Sequence, residues 1–407
     1  MKFALLKERK SIHEGRVLFS PQQLREIANR YSQHQFIVES SATRCFPDSA
    51  YSNLGFTVTT NINSADVFFG IKEVPLQNLI PYKTYFFFSH TTKMQPHNKT
   101  YLQGLIEKEI TFYDYENFTN DFQKRLIAFG KSAGNIGAYH AIRTYGLKNG
   151  LFNLKKPSAY SNIQDLLSAI HTSSIPNIKI VLTGTGNVGN GAASFLNNLR
   201  IQQLSPIDFL STTTYTKPVF TQLKKADYLS HSLSNEFNEN DFKRHPYNYK
   251  SDFLKYTKQA DILITGHYYH KDMPMLFTTE EVNHADFNIN TIADISCDLL
   301  KPIPTCLRAS TTENPIYGYQ KNNGLESNYT HKNSVAVMAV DNLPCELPEY
   351  SSTEFGNQFI EEVLPHLMIN FNHPIIEKAC VLKNGKISDS YQYLEDFISL
   401  NPNLIPV

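Results

Sequence analysis

Residues 178–195 constrain the fold of this chain more than any other stretch, because they combine three local signals in a fixed order. The stretch reads IKIVLTGTGNVGNGAASF, an apolar strand, a G-x-G-x-x-G turn and an alanine-rich helix. The first glycine permits a tight turn, the second lets the backbone approach a pyrophosphate, and the third lets the helix pack closely on the strand. This order predicts a dinucleotide-binding βαβ unit rather than a merely structural turn. The predicted cofactor-binding residues of the turn are Gly184, Gly186, Asn187, Val188 and Gly189.

The choice between NAD and NADP stays open in the sequence. NAD sites normally carry Asp or Glu at the end of the next strand, where the carboxylate binds the ribose 2′-hydroxyl. The next strand is predicted at residues 201–204 and is followed by Ser205, with Asp208 slightly late and no clear arginine as a replacement. We therefore expect NADP or NAD as the cofactor, with NADP favoured.

The rest of the chain alternates short apolar runs with amphipathic stretches, a pattern that predicts mostly parallel sheets with helices on their faces. A chain of 407 residues exceeds one ordinary core. We predict an α/β protein of two Rossmann-like lobes, with an active-site cleft between them and a C-terminal helix that returns to the first lobe. The substrate and catalytic lobe is predicted at 1–135 plus 345–407, and the dinucleotide lobe at 136–344 with an insertion at about 212–258.

Composition argues for a small-molecule partner. Lys plus Arg and Asp plus Glu both total 38, so net charge provides no attraction to nucleic acid or to an anionic membrane. The five cysteines form no CxxC pair and no Cys/His spacing typical of a metal site, so no metal is expected. The apolar run in MKFALLKERK is too short for a signal peptide, and no stretch is long enough to span a bilayer, so a cytoplasmic location is expected. The oligomeric state is not readable from the sequence.

Two predicted strands of the first lobe end in side chains that can transfer protons. Lys72 ends the strand in FGIKEVP, and His90 follows the strand in YFFFSHTTK. Ligands of open α/β sheets bind at the carboxyl ends of the strands, and partial burial there shifts the pKa of a lysine or histidine towards neutrality. We therefore predict that Lys72 and His90 share acid–base catalysis.

Each of these residues also has a simpler interpretation when it is taken alone. Lys72 fits a solvated lysine at a strand end, and His90 fits a hydrogen-bonded structural histidine. Arg16 could form a surface ion pair, and Glu116 could cap the element after YDYENF. The catalytic interpretation depends on finding all of them, in order, ahead of a dinucleotide turn.

The order of the motifs resembles a known superfamily. EGRVLFSP, IKEVP, FFFSHT, the glycine turn and finally VDNLP resemble the alanine dehydrogenase, transhydrogenase and saccharopine dehydrogenase superfamily. Within it, the sequence is most similar to the lysine–ketoglutarate reductase half of aminoadipic semialdehyde synthases. The segments KRLIAFGKSAGNIGA, ADISCD and ASTTENPIYGY extend that similarity over nearly the whole chain.

This resemblance implies that L-lysine and 2-oxoglutarate condense, and that NADPH or NADH reduces the imine to saccharopine, or that the reverse reaction occurs. By motif match, Lys72 and His90 correspond to the acid–base pair. Arg16 and Arg125 correspond to residues that bind substrate carboxylates, a task that suits a guanidinium fork. Glu116 corresponds to a carboxylate that tunes the catalytic lysine. The resemblance places Asp294 near the nicotinamide side of the cofactor site, and Asp341, Asn342 and Leu343 near the ring.

Two alternatives remain open at this point. One is another amino-acid dehydrogenase or an N-carboxyalkyl amino-acid synthase on the same scaffold, with a different amino donor or oxo acid. The other is a non-catalytic homologue that only binds a nucleotide. The stretch between the helix near residues 129–147 and residue 178 is shorter than in the reductase half, and Ser205 stands where a carboxylate is common. These departures weaken the assignment of the substrate and of the cofactor.

Overall fold

The computed structural model describes residues 1–171, 175–212, 214–269 and 272–399. Residues 400–407 of the predicted catalytic lobe and Thr213 of the predicted insertion lie outside them. The chain forms two compact units, the first made of Met1–Phe129 and the chain from Pro348 onward, the second of Gly130–Leu347. Among the helices of the described ranges, none is long and apolar enough to cross a membrane.

The amino-terminal part of the first unit alternates strands and helices. Its strands are β1 (Lys2–Leu5), β2 (Gln35–Glu39), β3 (Thr57–Thr59), β4 (Val67–Lys72), β5 (Thr84–Phe88) and β6 (Thr111–Asp114). Its helices are α1 (Pro21–Arg30), α2 (Asp48–Ser52) and α3 (Asn98–Glu107). The start of α1 is defined locally, because Ser20 Oγ accepts a hydrogen bond from Gln23 N while the Gln23 side chain accepts one from Ser20 N.

In its described residues, the second unit begins with the longest helix and continues with six shorter helices and ten strands. Its helices are α4 (Gly130–Asn149), α5 (Ile163–His171), α6 (Asn187–Asn198), α7 (Pro206–Ser211), α8 (Glu239–Arg244), α9 (Leu254–Thr257) and α10 (Thr279–Val282). Its strands are β7 (Lys179–Thr183), β8 (Gln202–Leu204), β9 (Val219–Leu223), β10 (Leu229–His231), β11 (Tyr249–Ser251), β12 (Ile262–Thr265), β13 (Thr291–Asp294), β14 (Ile316–Gln320), β15 (Glu326–Ser327) and β16 (Ser334–Met338).

The chain from Pro348 onward completes the first unit. It contains α11 (Pro348–Glu362), α12 (Leu364–Ile369), α13 (Pro374–Ala379), β17 (Cys380–Lys383), β18 (Lys386–Ile387) and α14 (Tyr393–Ser399). The sequence had predicted one helix from about residue 352 to residue 368. The structure has two, because Pro365 occupies the first turn of α12, where a missing backbone N–H is tolerated, and would break a continuous helix.

Each unit contains one eight-stranded, mostly parallel sheet, which confirms the predicted fold class. The order in the first sheet is β18-β17-β6-β5-β4-β1-β2-β3. β17 pairs antiparallel with both β18 and β6, and the other neighbouring strands of that order pair in parallel. Alternate residues of its strands face two separate cores, so Phe69 and Phe86 lie in one core and Phe68 and Phe87 in the other. Phe359 of α11 packs on Phe69 at a ring distance of 5.8 Å, so the returning helix closes the first of these cores.

The second sheet has the order β15-β14-β16-β13-β12-β7-β9-β8, in which β14 and β15 are antiparallel. The strand beside β7 is therefore β9, and β8, which follows α6 in the chain, lies at the edge. Residues 212–258 had been predicted as an insertion or lid. That prediction is wrong for residues 219–223, since they form β9, which pairs in parallel with both β7 and β8.

Small residues allow α4 and α6 to approach closely. A Cβ atom on Gly134 of α4 would lie 2.1 Å from the carbonyl oxygen of Val188, and one on Gly191 of α6 would lie 2.4 Å from the carbonyl oxygen of Lys131. These distances are shorter than any van der Waals contact, so both positions require glycine. The close packing keeps the amino end of α6, and with it the glycine turn, in a defined position.

Candidate functional site

The carboxyl ends of β4, β5 and β6 lie at one edge of the first sheet. The three strands are parallel neighbours, with Lys72 opposite Phe88 and Phe87 opposite Asp114 in the register. Lys72 ends β4, and His90 follows β5 by two residues. The structure therefore brings Lys72, His90 and Glu116 to the same edge of the sheet, the edge at which open α/β sheets bind ligands.

The imidazole of His90 is oriented by a carboxylate. Its Nδ1 lies 2.9 Å from Oε2 of Glu116, and the ring is 35 % exposed. The backbone of His90 is left-handed, with φ 59°, and its carbonyl accepts a hydrogen bond from Asn98 Nδ2 at 3.0 Å. A left-handed histidine is uncommon and is held here by side chains of its surroundings. The neighbouring side chains therefore hold the His90 ring in a defined position.

Three basic side chains lie within hydrogen-bond distance of the Glu116 carboxylate. Besides His90, Lys93 Nζ and Arg125 Nη2 each lie 3.0 Å from its Oε1. Burial by itself would raise the pKa of the Glu116 carboxyl, but the hydrogen bond from His90 and the charges of Arg125, His90 and Lys93 outweigh it and lower the pKa to about 2. Glu116 is thus a carboxylate at neutral pH.

This arrangement differs in one respect from the expected one. Glu116 was expected to tune Lys72, whereas the hydrogen-bond partners of its carboxylate in the described part of the chain are His90, Lys93 and Arg125. Lys93 was missed in the sequence, although its place three residues after His90 in SHTTK was a usable signal.

Lys72 is positioned through its backbone. The N–H groups of Ile71 and Lys72 donate hydrogen bonds to Oε1 and Oε2 of Glu8, at 2.6 and 3.0 Å. Burial, and then the nearby charge of Glu14, raise the pKa of Glu8 to about 7, against the effect of these two donors and of Arg16. Glu8 follows β1, so these hydrogen bonds link the chain after β1 to the end of β4. The register of β4 with β5 is irregular there, between Phe69 and Lys72. The sequence analysis had not singled out Glu8.

The two predicted carboxylate-binding arginines differ in accessibility. Arg16 is 3 % exposed, and its Nε and Nη2 donate to Oε1 and Oε2 of Glu14 at 2.8 and 2.6 Å. Its guanidinium also lies 4.2 Å from the ring centre of Phe129. The ion pair that the sequence allowed at the surface is therefore inside the unit. Arg125, with a side chain 41 % exposed, is the arginine that reaches solvent beside Glu116.

The glycine turn of the second unit has the shape of a phosphate cradle. Gly184 has φ +95°, and a Cβ atom there would lie 2.5 Å from the carbonyl oxygen of Gly266. A Cβ on Gly189 would lie 2.0 Å from the carbonyl oxygen of Gly184, whereas one on Gly186 would meet nothing within 4 Å. Open space therefore adjoins Gly186, directly at the start of α6, where Asn187 and Val188 form the first turn. A pyrophosphate fits such a site, since the N–H groups of that turn have no acceptors within the helix.

The other predicted cofactor residues also follow parallel strands of the second sheet. Asp294 ends β13 and is fully buried; its Oδ1 accepts hydrogen bonds from Thr265 Oγ1 at 2.5 Å and from Ser296 Oγ at 2.6 Å. Asp341, Asn342 and Leu343 follow β16, which is the parallel neighbour of β13. Asp341 is exposed, Leu343 is buried, and Asn342 Nδ2 donates to Cys345 Sγ at 2.8 Å.

His267 is a residue of this region that sequence reasoning missed. It follows β12, and its Nδ1 lies 2.6 Å from Thr183 Oγ1 at the end of β7. Burial lowers the pKa of His267 to about 4, so the ring is neutral at physiological pH. Its Nε2 is buried with no hydrogen-bond partner among the residues that the structure describes. The available signal was the sequence TGHYYH directly after an apolar strand.

Comparison with known proteins agrees with this geometry. Residues 4–136 match the family described as "Alanine dehydrogenase/PNT, N-terminal domain". The matched residues include the strands that carry Lys72 and His90, the Glu116 cluster, and the first residues of α4.

Curated relatives match most of the chain, including the part beyond residues 4–136. Alpha-aminoadipic semialdehyde synthase of Mus musculus is 25 % identical over 96 % of this chain and 47 % of its own length. Saccharopine dehydrogenase [NAD(+), L-lysine-forming] of Yarrowia lipolytica is 24 % identical over 87 % of this chain and 88 % of its own length. The chain is homologous to both, and it spans about half the length of the mouse protein.

Solved structures show the same fold. An L-alanine dehydrogenase superposes with a TM-score of 0.65 at 16 % identity, over 98 % of this chain and 100 % of its own. The transhydrogenase from Sinorhizobium meliloti superposes with a TM-score of 0.55 at 14 % identity, over 95 % and 98 % of the two chains. The chain therefore has the Rossmann-like architecture of alanine dehydrogenase.

Proposed function

We propose that this chain is an NAD(P)-dependent oxidoreductase that forms saccharopine by reducing the imine of L-lysine and 2-oxoglutarate, or that catalyses the reverse reaction. The observation that carries the proposal is the arrangement at the edge of the first sheet, where Lys72 and an imidazole bound to Glu116 end neighbouring strands. Two sets of relatives, named as aminoadipic semialdehyde synthases and as saccharopine dehydrogenases, favour this substrate class over others.

His90 is the proposed proton-transfer group. Because Glu116 is a carboxylate, it accepts a hydrogen bond from the N–H group at Nδ1 of His90. Nε2 is then the ring atom that takes up or releases protons. The reaction needs such a group twice: the amine must lose a proton to attack the oxo carbon, and the carbinolamine hydroxyl must gain one to leave as water. The reverse reaction needs the same two transfers in the opposite direction. Lys72, on the adjacent strand, is proposed as the second proton-transfer group.

Arg125 is the proposed anchor for substrate carboxylates. Both substrates carry carboxylates, and 2-oxoglutarate carries two, so an accessible guanidinium beside the acid–base pair suits them. Arg16 forms an ion pair with Glu14, so it would bind a substrate carboxylate while it remains paired with Glu14. Its position between Glu14 and Phe129 also supports a role in shaping the site from within the first unit.

The second unit is proposed to bind the cofactor. NAD(P)H, when bound, supplies the hydride that reduces the imine. The backbone at Gly184, Gly186 and Gly189 and the start of α6 at Asn187 and Val188 would hold the pyrophosphate. Towards the nicotinamide we place Asp294, Asp341, Asn342 and Leu343, and we add His267, whose neutral ring offers a buried nitrogen at the end of β12.

The decisive assay follows NADPH and NADH oxidation at 340 nm with L-lysine and 2-oxoglutarate, omitting each substrate in turn. We expect oxidation only when both substrates are present. A rate of oxidation that does not depend on lysine would reject the proposal. A panel of other amino donors and oxo acids tests whether the chain is a different amino-acid dehydrogenase. If no pair of substrates is turned over, the alternative of a non-catalytic nucleotide-binding homologue is favoured.

Matched variants test the assigned residues. Lys72→Met and His90→Gln should each lower kcat/KM by about two to four orders of magnitude, the usual scale for acid–base groups. Lys83→Met, just before the amino end of β5, and His284→Gln, exposed before β13 in the second unit, make the same chemical changes away from the edge and should leave activity intact. Wild-type turnover of the doubly substituted Lys72→Met, His90→Gln protein would show that these residues do not catalyse the reaction.

A further inference from the structure

A cavity of about 580 Å³ lies in the first unit, beside the hairpin that β17 and β18 form. This volume is typical of sites that bind small molecules. The turn of the hairpin lies at the amino end of β6, because Gly385 N donates a hydrogen bond to the carbonyl oxygen of Ile110 at 3.0 Å. Lys72 and His90 lie at the carboxyl ends of the parallel strands, so the hairpin wall of the cavity is at the opposite end of the sheet from the proposed catalytic residues.

The turn of this hairpin has a fixed conformation. Asn384 and Gly385 have φ 52° and 72°, as a two-residue type I′ turn requires. Asn384 N donates a hydrogen bond to Thr111 Oγ1 at 3.0 Å, and Thr111 Oγ1 donates one to Asn384 Oδ1 at 3.0 Å. The side chains on either side of the turn therefore project from a rigid backbone.

Those two side chains are both lysines. Lys383 and Lys386 are directly opposite each other in the register, and both line the cavity. The preceding pair, Leu382 and Ile387, packs in the core that contains Phe68, so the lysines project from the other face of the hairpin. Like charges directly opposite each other destabilise a pair of strands. In the described part of the chain neither lysine forms an ion pair, so an anion in the cavity would relieve their repulsion.

The same cavity also contains negative charge. Glu377 of α13 and Asp389, which follows the hairpin, line it as well. Burial raises the pKa of the Cys380 thiol in the cavity wall, and among the smaller effects the charge of Lys383 lowers this pKa while that of Glu377 raises it. Charges of both signs therefore act on one point of the wall. A polyphosphate would be repelled by the two carboxylates, whereas a ligand that carries a carboxylate and an ammonium group suits both pairs of charges.

An apolar wall completes the cavity. The ring of Tyr113 on β6 and the ring of Phe371 have centres 5.9 Å apart, and both side chains line the cavity. Such rings suit an apolar or aromatic group of a ligand. A carboxylate, an ammonium group and an apolar side chain in one small molecule describe a free α-amino acid.

The chain that leaves the cavity continues to the segment that carries His90. The Tyr391 hydroxyl donates a hydrogen bond to the carbonyl oxygen of Lys378, and the Tyr393 hydroxyl donates one to the carbonyl oxygen of Thr92 at 3.1 Å. Thr92 lies between His90 and Lys93, whose Nζ is 3.0 Å from Glu116 Oε1. Tyr393 is thus a direct contact between the chain that follows the cavity and the proposed catalytic edge.

We propose that this cavity binds a free α-amino acid with an apolar side chain. The carboxylate of the ligand lies between Lys383 and Lys386, its ammonium group faces Glu377 and Asp389, and occupation of the cavity restrains the His90 segment through Tyr393. The proposal does not rest on the proposed function, because it concerns neither the cofactor nor the substrates of the reaction.

Binding of three related compounds tests the charge requirement. L-Phenylalanine carries both charges, phenethylamine lacks the carboxylate, and 3-phenylpropionate lacks the ammonium group. Isothermal titration calorimetry with the full chain, without cofactor, should show saturable binding of L-phenylalanine. Each analogue should bind at least about ten times more weakly, since each loses one charge-assisted contact.

Variants assign the binding to the cavity. Lys383→Glu and Lys386→Glu should each weaken binding of L-phenylalanine about tenfold or more, Lys386→Arg should retain it, and Glu377→Gln should weaken it. Lys217→Glu makes the same charge change at an exposed residue of the second unit, outside the lining of the cavity, and should have no effect. Arg125→Met should also bind normally, which distinguishes the cavity from the proposed substrate site.

Hydrogen exchange tests the contact with the His90 segment. L-Phenylalanine should slow amide exchange in the peptide that contains residues 90–94, as measured by mass spectrometry on the full chain. Tyr393→Phe should bind L-phenylalanine with unchanged affinity but should no longer show this protection, because it lacks the hydroxyl that contacts Thr92.

Each outcome gives a decision, and no measurement requires turnover. Absence of saturable binding, or equal affinity for L-phenylalanine and 3-phenylpropionate, overturns the amino-acid site. Binding that Arg125→Met abolishes and Lys383→Glu leaves intact places the ligand in the proposed substrate site and also overturns the proposal. Equal protection of residues 90–94 in the wild-type chain and in Tyr393→Phe overturns the role of Tyr393. Failure of the proposed function, which the assay of NADPH and NADH oxidation detects, would leave all these results unchanged.

Discussion

Replacing Glu116 by glutamine tests the centre of the proposed site. The carboxylate is 7 % exposed and is shared by His90, Lys93 and Arg125. Its pKa falls from 4.5 to about 2. Each pKa unit corresponds to about 1.4 kcal/mol of differential interaction, so ionised Glu116 stabilises the first unit by about 3 kcal/mol at neutral pH. We expect Glu116→Gln to lose most of that free energy.

The pH dependence has a defined sign. Because the pKa of Glu116 is lower in the folded chain, its contribution is complete above pH 4.5 and is lost as the pH falls towards 2. Urea unfolding followed by far-UV circular dichroism suits this chain, which has no tryptophan. The wild-type and variant free energies of unfolding should differ at pH 7 and converge near pH 2. Glu26→Gln, on the exposed face of α1, is the matched control.

The same variant should impair catalysis. A neutral amide still accepts a hydrogen bond from His90 Nδ1, but it no longer stabilises the protonated ring. We expect kcat/KM to fall about 10²-fold or more, with the fall mainly in kcat and a displaced pH–rate profile. Wild-type stability at pH 7 together with an unchanged pH–rate profile would refute the role given to the Glu116 cluster.

Three further predictions follow from the contacts. Gly189→Ala should weaken NADPH and NADH binding at least about tenfold, since the new Cβ would lie 2.0 Å from the carbonyl oxygen of Gly184; Ser194→Ala, exposed on the same helix, is the control for calorimetry. Arg125→Met should raise KM for the oxo acid about tenfold or more with a smaller change in kcat, and an unchanged KM would show that the carboxylate binds elsewhere. The pKa of Glu8 is raised to about 7, so the folded chain binds more protons than the unfolded chain between pH 4.5 and 7, and stability should decline with rising pH in that window. Glu8→Gln should flatten this slope in urea titrations, and a slope that remains as steep would contradict the assignment.

Some features of the fold and of the candidate site were predictable because they are local. The apolar runs of β4 and β5 and the strand–turn–helix order at residues 178–195 depend on neighbouring residues, and a strand that ends in Lys72 or precedes His90 can be recognised directly. The mostly parallel sheets followed from that alternation and are confirmed. The roles of the site residues stay predictions.

Other features depended on contacts between distant parts of the chain. Glu8 meets the end of β4 across 63 residues, and His267 meets Thr183 across 84, so no local pattern could have revealed either pair. The partners of Glu116 were also unexpected, because loop conformation, not strand order, brings Lys93 and Arg125 to its carboxylate.

The amino-acid sequence by itself determined where the strands, the glycine turn and the proton-transferring side chains occur, because hydrophobic period and glycine geometry act over a few residues. Only the tertiary structure decided which strand lies beside which. The order of strands in a sheet results from hydrogen bonds between segments far apart in the chain, and no local signal shows that β9 rather than β8 pairs with β7. Ser205, where the sequence analysis looked for the group that distinguishes the two cofactors, therefore follows a strand at the edge of the sheet and not the neighbour of β7.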